Sequence, residues 1–416
     1  MAMIPRRLSA AVLAALADTP AVYVAGPRQA GKSTLVMRLA QNDWPADYVT
    51  FDEAGMLGAA EANPQSFLRA WQGSLVLDEA QMAPGLFRAL KLLIDEARHG
   101  DPASANGRYL LTGSSSILAL PQLADALVGR MRIFTLYPLS ALEISAGSGD
   151  FLPRLWENRF TPGPVRSEYQ LAEMIVRASF PEISGKGQSA RRKWFEDYVS
   201  TILQRDVRQI AEIAKLGVLP NLLKLLAGRA GGLVNEADIA RSLGLNAVTA
   251  KNYRILLQMI FLTLEVKPWF KNIGKRLVKA PKCYLVDTSL LCHLLNIDPG
   301  HAAMRDPHVF GQIMENFVAS ELAKQLAATA PQASLHHFRT SYGKEVDFVL
   351  EAPGGKISAI EVKGRDAVTA ADFNGLRELR GLAGEDFVCG VVLYRGGQII
   401  PFDENLWAVP AEAMWR

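Results

Sequence analysis

Residues 21–40 read AVYVAGPRQAGKSTLVMRLA, and this stretch constrains the fold more tightly than any other in the chain. A β-rich run, Ala21 to Ala25, meets a loop with glycine near both ends, and a helical pattern follows from Lys32. The loop fits G-x-x-x-x-G-K-[ST] as Gly26, Pro27, Arg28, Gln29, Ala30, Gly31, Lys32 and Ser33, with Thr34 next. Gly26 and Gly31 let the backbone curl until its N–H groups face an anion. The helix beyond aims its positive dipole end at the same anion. Residues 26–34 are therefore expected to hold ATP, with Lys32 on the β- and γ-phosphates and Ser33 on Mg²⁺. The fold class that accommodates this unit is α/β, a P-loop NTPase with a parallel sheet.

A partner motif stands at 73–81, GSLVLDEAQ. Ser74 to Leu77 feed a buried strand that ends in Asp78-Glu79, and a carboxylate pair at the carboxyl end of a strand is where a doubly wound sheet keeps its chemistry. Asp78 is expected to hold the Mg²⁺ shell, and Glu79 to orient and deprotonate the attacking water. Further strands are expected at DYVTFDEAG (47–55), RYLLTGSSS (108–116) and MRIFTLYPLS (131–140). Thr112 and Ser114 end the second of these and are candidates to sense the γ-phosphate or hold the water. A strand inserted between the two motifs, together with the Asp-Glu pair, favours an ASCE-type ATPase over a GTPase. No N-K-x-D guanine-reading motif occurs.

The segments GPRQAGKST, LVLDEAQ, LLTGSSS and LVGRMRIFTLYPLSALE resemble the bacterial and archaeal AAA-superfamily ATPases that carry a C-terminal domain of unknown function. The resemblance implies ATP hydrolysis, and it covers most of the chain. Gly129-Arg130 and Arg28 match positions that recur in that family. Arg130 is then a candidate arginine finger, acting in cis or across a self-association interface, or else a surface or structural ion-pair arginine. ILQRDV, with Arg205 and Asp206, also matches. Two readings stay open for that pair: an ion pair on a helix surface, or a report on the nucleotide.

The 416 residues are 49% hydrophobic and 21% charged, which suits two to four globular domains. A net charge of +3 neither requires nor excludes nucleic acid. The three cysteines, Cys283, Cys292 and Cys389, contain no C-x-x-C pair, so a disulfide framework or zinc site is not expected and a reducing cytoplasmic setting fits. The opening MAMIPRRLSAAVLAALADTPAV imitates a signal peptide, but Asp18 and Pro20 end its apolar run and an amphipathic first helix is expected instead. No apolar run reaches the roughly 18–20 residues of a membrane span, so no membrane partner is expected.

Four units are expected: an AAA-like ATPase domain (1–146), a linker and helical region (147–215), a winged-helix-like domain (216–300) and an α/β restriction-endonuclease-like domain (301–416). The Gly-, Pro- and aromatic-rich stretch GSGDFLPRLWENRFTPGP reads as the linker. Helix-turn-helix patterning follows at 233–266: Asn235 as a cap, Gly244 as the turn, and Val248, Tyr253, Leu256 and Leu257 inward. Asn246, Thr249, Lys251, Asn252 and Arg254 are expected to point outward. A basic wing then carries Lys267, Lys271, Lys275, Arg276, Lys279 and Lys282 with Trp269 and Phe270 and no acid among them. Thr249, Lys251, Asn252, Arg254, Lys275 and Arg276 are the candidate DNA contacts. The same module can serve protein contact instead.

From Gly311 the pattern is αβββαβ, the core order of the PD-(D/E)XK nuclease fold. Asp347 falls on one strand, and Glu361 and Lys363 share a face of the next. The set resembles that family's D…E-x-K signature. The resemblance implies Mg²⁺ on Asp347 and Glu361, water orientation or charge stabilisation by Lys363, and a further acid, Glu315, from the helix. His336 and His337 read as edge-strand surface residues. Two functions remain: an ATPase coupled to DNA binding or processing, or an ATP-dependent regulatory switch whose C-terminal domains bind protein and whose nuclease-like domain is inactive.

Overall fold

The computed structural model describes residues 4–100, 105–116, 127–166, 170–210, 216–271, 280–298, 305–329 and 333–416, with the side chains of 100, 208–210 and 216 excepted. The first unit contains α1 (Leu8–Asp18), β1 (Ala21–Ala25), α2 (Lys32–Asn42), β2 (Asp47–Thr50), α3 (Ala54–Ala62), α4 (Pro64–Arg69), β3 (Leu75–Asp78), α5 (Leu86–Gly100), β4 (Tyr109–Gly113) and β5 (Met131–Thr135). Its five strands pair in the order β2-β3-β4-β1-β5, and all of them run parallel. Every residue of β1, β3 and β4 is buried, as strands covered by helices on both faces require. β4 lies between β1 and β3, so a strand separates the loop that follows β1 from the acids that end β3. The opening apolar run is α1, and its Leu8, Val12, Ala15 and Leu16 are buried.

The segment expected to be a linker is instead part of a core. After α6 (Ala141–Ser145) come α7 (Phe151–Trp156) and the short strand β6 (Gly163–Pro164). Phe151, Leu152, Leu155 and Phe160 are buried in one cluster with Met414 and Trp415, and the Phe160 and Trp407 rings lie 6.1 Å apart. The Gly and Pro residues that suggested flexibility serve to turn the chain between packed aromatic residues.

The helical block contains α8 (Leu171–Val176), α9 (Gln188–Ile210), α10 (Leu219–Gly228), α11 (Glu236–Leu243) and α12 (Ala247–Met259). α11 is capped by Asn235, which accepts from the Asp238 N–H at 3.1 Å, and it ends at Gly244 with φ +64°. Asn246 caps α12 in the same way, accepting from Thr249 N–H at 2.8 Å. Tyr253, Leu256 and Leu257 face inward, but Val248 is 69% exposed: it sits in the first turn, before the helix reaches the core.

β7 (Thr263–Pro268) pairs antiparallel with β8 (Lys282–Leu285) and parallel with β9 (Ser334–Arg339). Beyond α13 (Thr288–Leu294) and α14 (Pro307–Ala328), the chain adds β10 (Glu345–Glu351), β11 (Ile357–Lys363), α15 (Asn374–Ala383), β12 (Phe387–Tyr394), β13 (Gln398–Asp403) and β14 (Leu406–Pro410). The strands form a nine-stranded mixed sheet, β6-β13-β14-β12-β11-β10-β9-β7-β8. β9 is therefore not an edge, and His337 is 2% exposed rather than a surface residue. α14 is buried almost all round, because the first unit covers its polar side: Glu321 accepts from Ala141 N–H at 2.7 Å. Among the described residues no helix is long and apolar enough to cross a membrane. Cys283, Cys292 and Cys389 are free and buried.

Candidate functional site

The loop between β1 and α2 has the backbone its glycines dictate. Gly31 has φ +92°, and a Cβ on Gly26 would stand 2.2 Å from the Leu136 carbonyl oxygen. Gln29 also takes a positive φ, +65°. The Lys32 side chain is buried and donates to the Gly26 and Pro27 carbonyls, each at 3.1 Å. Burial pushes the Lys32 pKa down, against the pull of Glu79. Ser33 is half-buried and Thr34 exposed at the start of α2.

The acids that end β3 stand beside this loop. Asp78 accepts from the Tyr48 hydroxyl at 2.7 Å and from the Thr112 hydroxyl. Desolvation and the Asp78 hydrogen bond push the Tyr48 pKa up. Glu79 has φ +56°, a left-handed conformation that costs a non-glycine residue about 1 kcal/mol or more. Its N–H donates to Thr112 Oγ1 at 3.0 Å, and its carboxylate accepts from Gln81, which also reaches Ser114 at 3.1 Å.

Thr112 is fully buried and both bonds of its hydroxyl go to residues 78 and 79. It ties the two acids together. Tyr48 and Gln81 complete the site and carry no motif of their own.

Arg28 reaches away from the loop to α9. Its Nε donates to both carboxylate oxygens of Asp206 at 2.8 Å, and its carbonyl accepts from the Tyr198 hydroxyl at 3.3 Å. Arg205, by contrast, points to solvent, so the expected Arg205–Asp206 pair does not form. Arg6 grips the other side of the loop, donating to the Ala30 carbonyl at 2.7 Å and to the Tyr137 carbonyl at 2.6 Å. A cavity of about 220 Å³ opens next to Gly31 and Thr34, walled by Ile4, Leu35, Arg38, Leu139 and Pro181.

Arg130 does not serve this site in cis. The parallel register Ala21↔Met131 sets it beyond the start of β5, at the end of the sheet opposite the loop. There Nε and Nη2 bind the Asp95 carboxylate at 2.7 and 3.0 Å, and that bond holds the Asp95 pKa down.

The C-terminal acids also gather, around a cation the sequence had suggested lay elsewhere. Lys282, assigned to an outward-facing wing, points inward from β8 with its side chain 3% exposed. Its Nζ lies 3.0 Å from Glu315, 2.6 Å from Glu345 and 3.0 Å from Asp347. Burial opposes its charge, but Asp347, Glu315 and Glu345 outweigh that and raise its pKa. Asp347 also accepts from Val362 N–H at 2.9 Å, and Glu315 from the Tyr284 hydroxyl at 2.7 Å. Glu361 bonds Lys363 at 2.6 Å, while its buried Oε2 has no partner. Burial, then Asp347, pushes Glu315 up to about 7 and Glu361 up to about 8. Among the described residues no group of three or more His, Cys, Asp or Glu is arranged to hold a metal ion. The donors do not fit the Mg²⁺ expected on Asp347 and Glu361, because an ammonium already neutralises Asp347.

Of the candidate DNA contacts, Lys251 and Asn252 are exposed on α12 and Thr249 is half-exposed. Arg254 is buried and pairs with Glu236 at 2.7 Å and with Glu265, so it is a core ion pair instead of an outward contact. Lys275 and Arg276, with Lys279, lie outside the described residues.

Known protein families match three stretches of the chain. A model described as an AAA domain matches residues 18–145, and two domains of unknown function, DUF8612 and DUF4143, match 168–301 and 310–414. Uncharacterized proteins of Mycobacterium tuberculosis and Mycobacterium bovis are each 30% identical over 413 residues, 99% of this chain and 84% of theirs. The chain belongs to the family of these mycobacterial proteins. An uncharacterized protein of Haemophilus influenzae is 26% identical over 345 residues, 78% of this chain and 80% of its own. Among solved structures, a Walker-type ATPase of Pyrococcus abyssi aligns with TM-score 0.41 and 14% identity, over 70% of this chain and 96% of that one. Cdc6p of Pyrobaculum aerophilum aligns with TM-score 0.26 and 12% identity, over 79% and 96%. The N-terminal unit of this family member is a P-loop, AAA-type ATPase domain.

Proposed function

We propose that the protein is an ATP-driven regulatory switch, in which the N-terminal unit turns over MgATP and the helical and C-terminal units respond. In this reading the phosphates lie on residues 26–34 and Lys32 leaves its loop carbonyls to meet them. Ser33 and Asp78 would hold Mg²⁺, an ion satisfied by one or two hard oxygen ligands plus phosphate and water. When bound, the metal neutralises charge developing between the phosphates. Glu79 takes the proton of the attacking water, with Gln81 fixing the carboxylate and Thr112 its backbone. The purine base occupies the cavity beside Thr34 and Leu35. The units are divided near residues 146, 215 and 300, the third resembling a winged helix and the fourth a nuclease-like fold that does not cut.

The observation that favours a switch over a nuclease is Lys282 Nζ, within 3.0 Å of Glu315, Glu345 and Asp347. A DNA-processing reading keeps one specific support: Lys251 and Asn252 stand exposed on the second helix of a capped helix pair. The test is ATP turnover with and without DNA, alongside cleavage of labelled DNA with Mg²⁺ or Mn²⁺ by wild type and Asp347→Ala. The switch reading expects ATPase activity that Lys32→Ala abolishes, and no cleavage by either protein. Cleavage lost in Asp347→Ala would overturn it in favour of the nuclease, and turnover untouched by Lys32→Ala would remove the ATPase assignment.

A further inference from the structure

Arg28 is the one charged residue between the two glycines of the loop, and it is held from another unit. Both Asp206 oxygens accept from the same atom, Nε, at 2.8 Å. That contact uses one edge of the guanidinium. A guanidinium has five N–H donors, so the four on its amino nitrogens remain beyond this pair. Asp206 is 4% exposed and lies on the buried stripe of α9 with Tyr198, Ile202 and Val207. Arg28 is the hydrogen-bond and ion-pair partner of its carboxylate among the described residues.

A phosphate that pulled Arg28 away would strand a buried carboxylate, which is strongly unfavourable. A phosphate that binds the amino edge while Nε stays on Asp206 costs nothing of that kind. Tyr198, two turns earlier on the same helix, fixes the Arg28 backbone through its carbonyl at 3.3 Å. The same carboxylate lies close enough to bear on Lys32 and Glu79.

We propose that Asp206 is a positioning residue of the nucleotide site. It aims the amino edge of Arg28 at the nucleotide phosphates and so makes α9 part of the ATP-binding surface. This rests on the ATPase reading above and adds a residue from the helical region to it. The bound triphosphate and Asp206 then hold opposite edges of one guanidinium, and nucleotide tightens the seat of α9 on the loop.

The experiment is a double-mutant cycle on ATP affinity with Asp206→Asn, Arg28→Gln and the pair, beside Lys32→Ala, each checked for folding by thermal melting. Asp206→Asn should weaken ATP binding by roughly tenfold, in the usual range for two coupled sites. The pair should bind no more weakly than Arg28→Gln alone, since Asp206 acts through Arg28. ATP should also slow amide exchange along α9 in the wild type and not in Asp206→Asn. If that variant fails to fold, Asp206→Glu keeps the charge and should show an intermediate loss. ATP affinity unchanged in Asp206→Asn or Asp206→Glu, or losses that simply add, overturns the inference while leaving the ATPase reading standing if Lys32→Ala still loses binding. A wild type that binds no ATP removes both.

Discussion

Replacing Lys282 by methionine keeps the stem that packs in the core and removes the charge from among three carboxylates. Two opposite charges 4 Å apart attract by about 4 kcal/mol at an effective dielectric of 20, before desolvation is counted. Leaving buried carboxylates without their cation costs about 3–5 kcal/mol net. Glu345 contributes least to this, since its side chain is 30% exposed. The penalty should depend on pH, and its sign follows from the protons. Glu315 and Glu361 titrate near 7 and 8 when folded and near 4.3 when unfolded. The folded state therefore binds more protons between those values, and wild-type stability falls as pH rises through that window. The raised pKa of Lys282 keeps it charged across the whole window, so its contribution is present throughout. Without it the acids hold their protons to still higher pH. Each extra proton bound by the folded variant narrows its deficit by about 1.4 kcal/mol per pH unit. Urea unfolding at pH 8 should thus show Lys282→Met destabilised by about 3–5 kcal/mol, with the gap smaller by about 1–2 kcal/mol at pH 6. A deficit below about 1 kcal/mol at pH 8, or one equal at both pH values, would refute the view of Lys282 as the cation of this cluster.

Three other outcomes are expected. Tyr48→Phe removes the 2.7 Å bond to Asp78; at about 1 kcal/mol this should raise the Mg²⁺ concentration for half-maximal ATP turnover about fivefold, read by a Mg²⁺ titration. Gly26→Ala forces a methyl to within 2.2 Å of the Leu136 carbonyl, so the loop must move and the ATP-induced rise in melting temperature should vanish. Asn246→Ala loses the cap on Thr249 N–H and should cost about 1 kcal/mol in chemical unfolding, with ATP turnover unchanged.

The first unit was legible because its chemistry is local in sequence. A glycine-bounded loop between strand and helix, and two acids ending a strand, can be read without knowing what lies across the sheet. The αβββαβ order of the last unit was legible for the same reason, from alternation and turn residues. What failed was anything decided by a distant neighbour. Lys282 looked like one more wing lysine because residues 267–282 contain no acid; its partners are 33 to 65 residues away. Asp206 sits beside Arg205, yet the helix turns Arg205 to solvent and Asp206 inward, and its partner is 178 residues back. Arg254 was expected outward from its polarity, but Glu236 and Glu265 make the interior hospitable to it. The linker was misread because its Gly and Pro content outweighed Phe151, Leu152, Leu155 and Phe160, the residues that bury it. Tyr48 and Gln81 carry no signal, since a tyrosine in a strand and a glutamine after two acids are common.

In the switch proposed above, turnover in the first unit would reach the last through the same distant contacts. β4 ends at Gly113, and three residues on, the Ser116 N–H donates to the Met259 carbonyl at 2.8 Å, the final residue of α12. Phe261, held at φ +58°, packs against the core of the ATPase sheet, and the chain then enters β7. β7 is hydrogen-bonded both to β8, which carries Lys282, and to β9 of the C-terminal sheet. A shift at the end of β4 therefore has an unbroken run of hydrogen-bonded and packed backbone leading toward the acidic cluster. Close-packed interiors yield by moving between discrete arrangements more readily than by gradual deformation. The Lys282 cluster would supply the stiff end of that run, because moving Lys282 away would leave Asp347 and Glu315 without their buried cation. In that proposed switch β7, β8 and the C-terminal sheet would move as one body, with the displacement taken up at α9 and at the Met259–Phe261 turn.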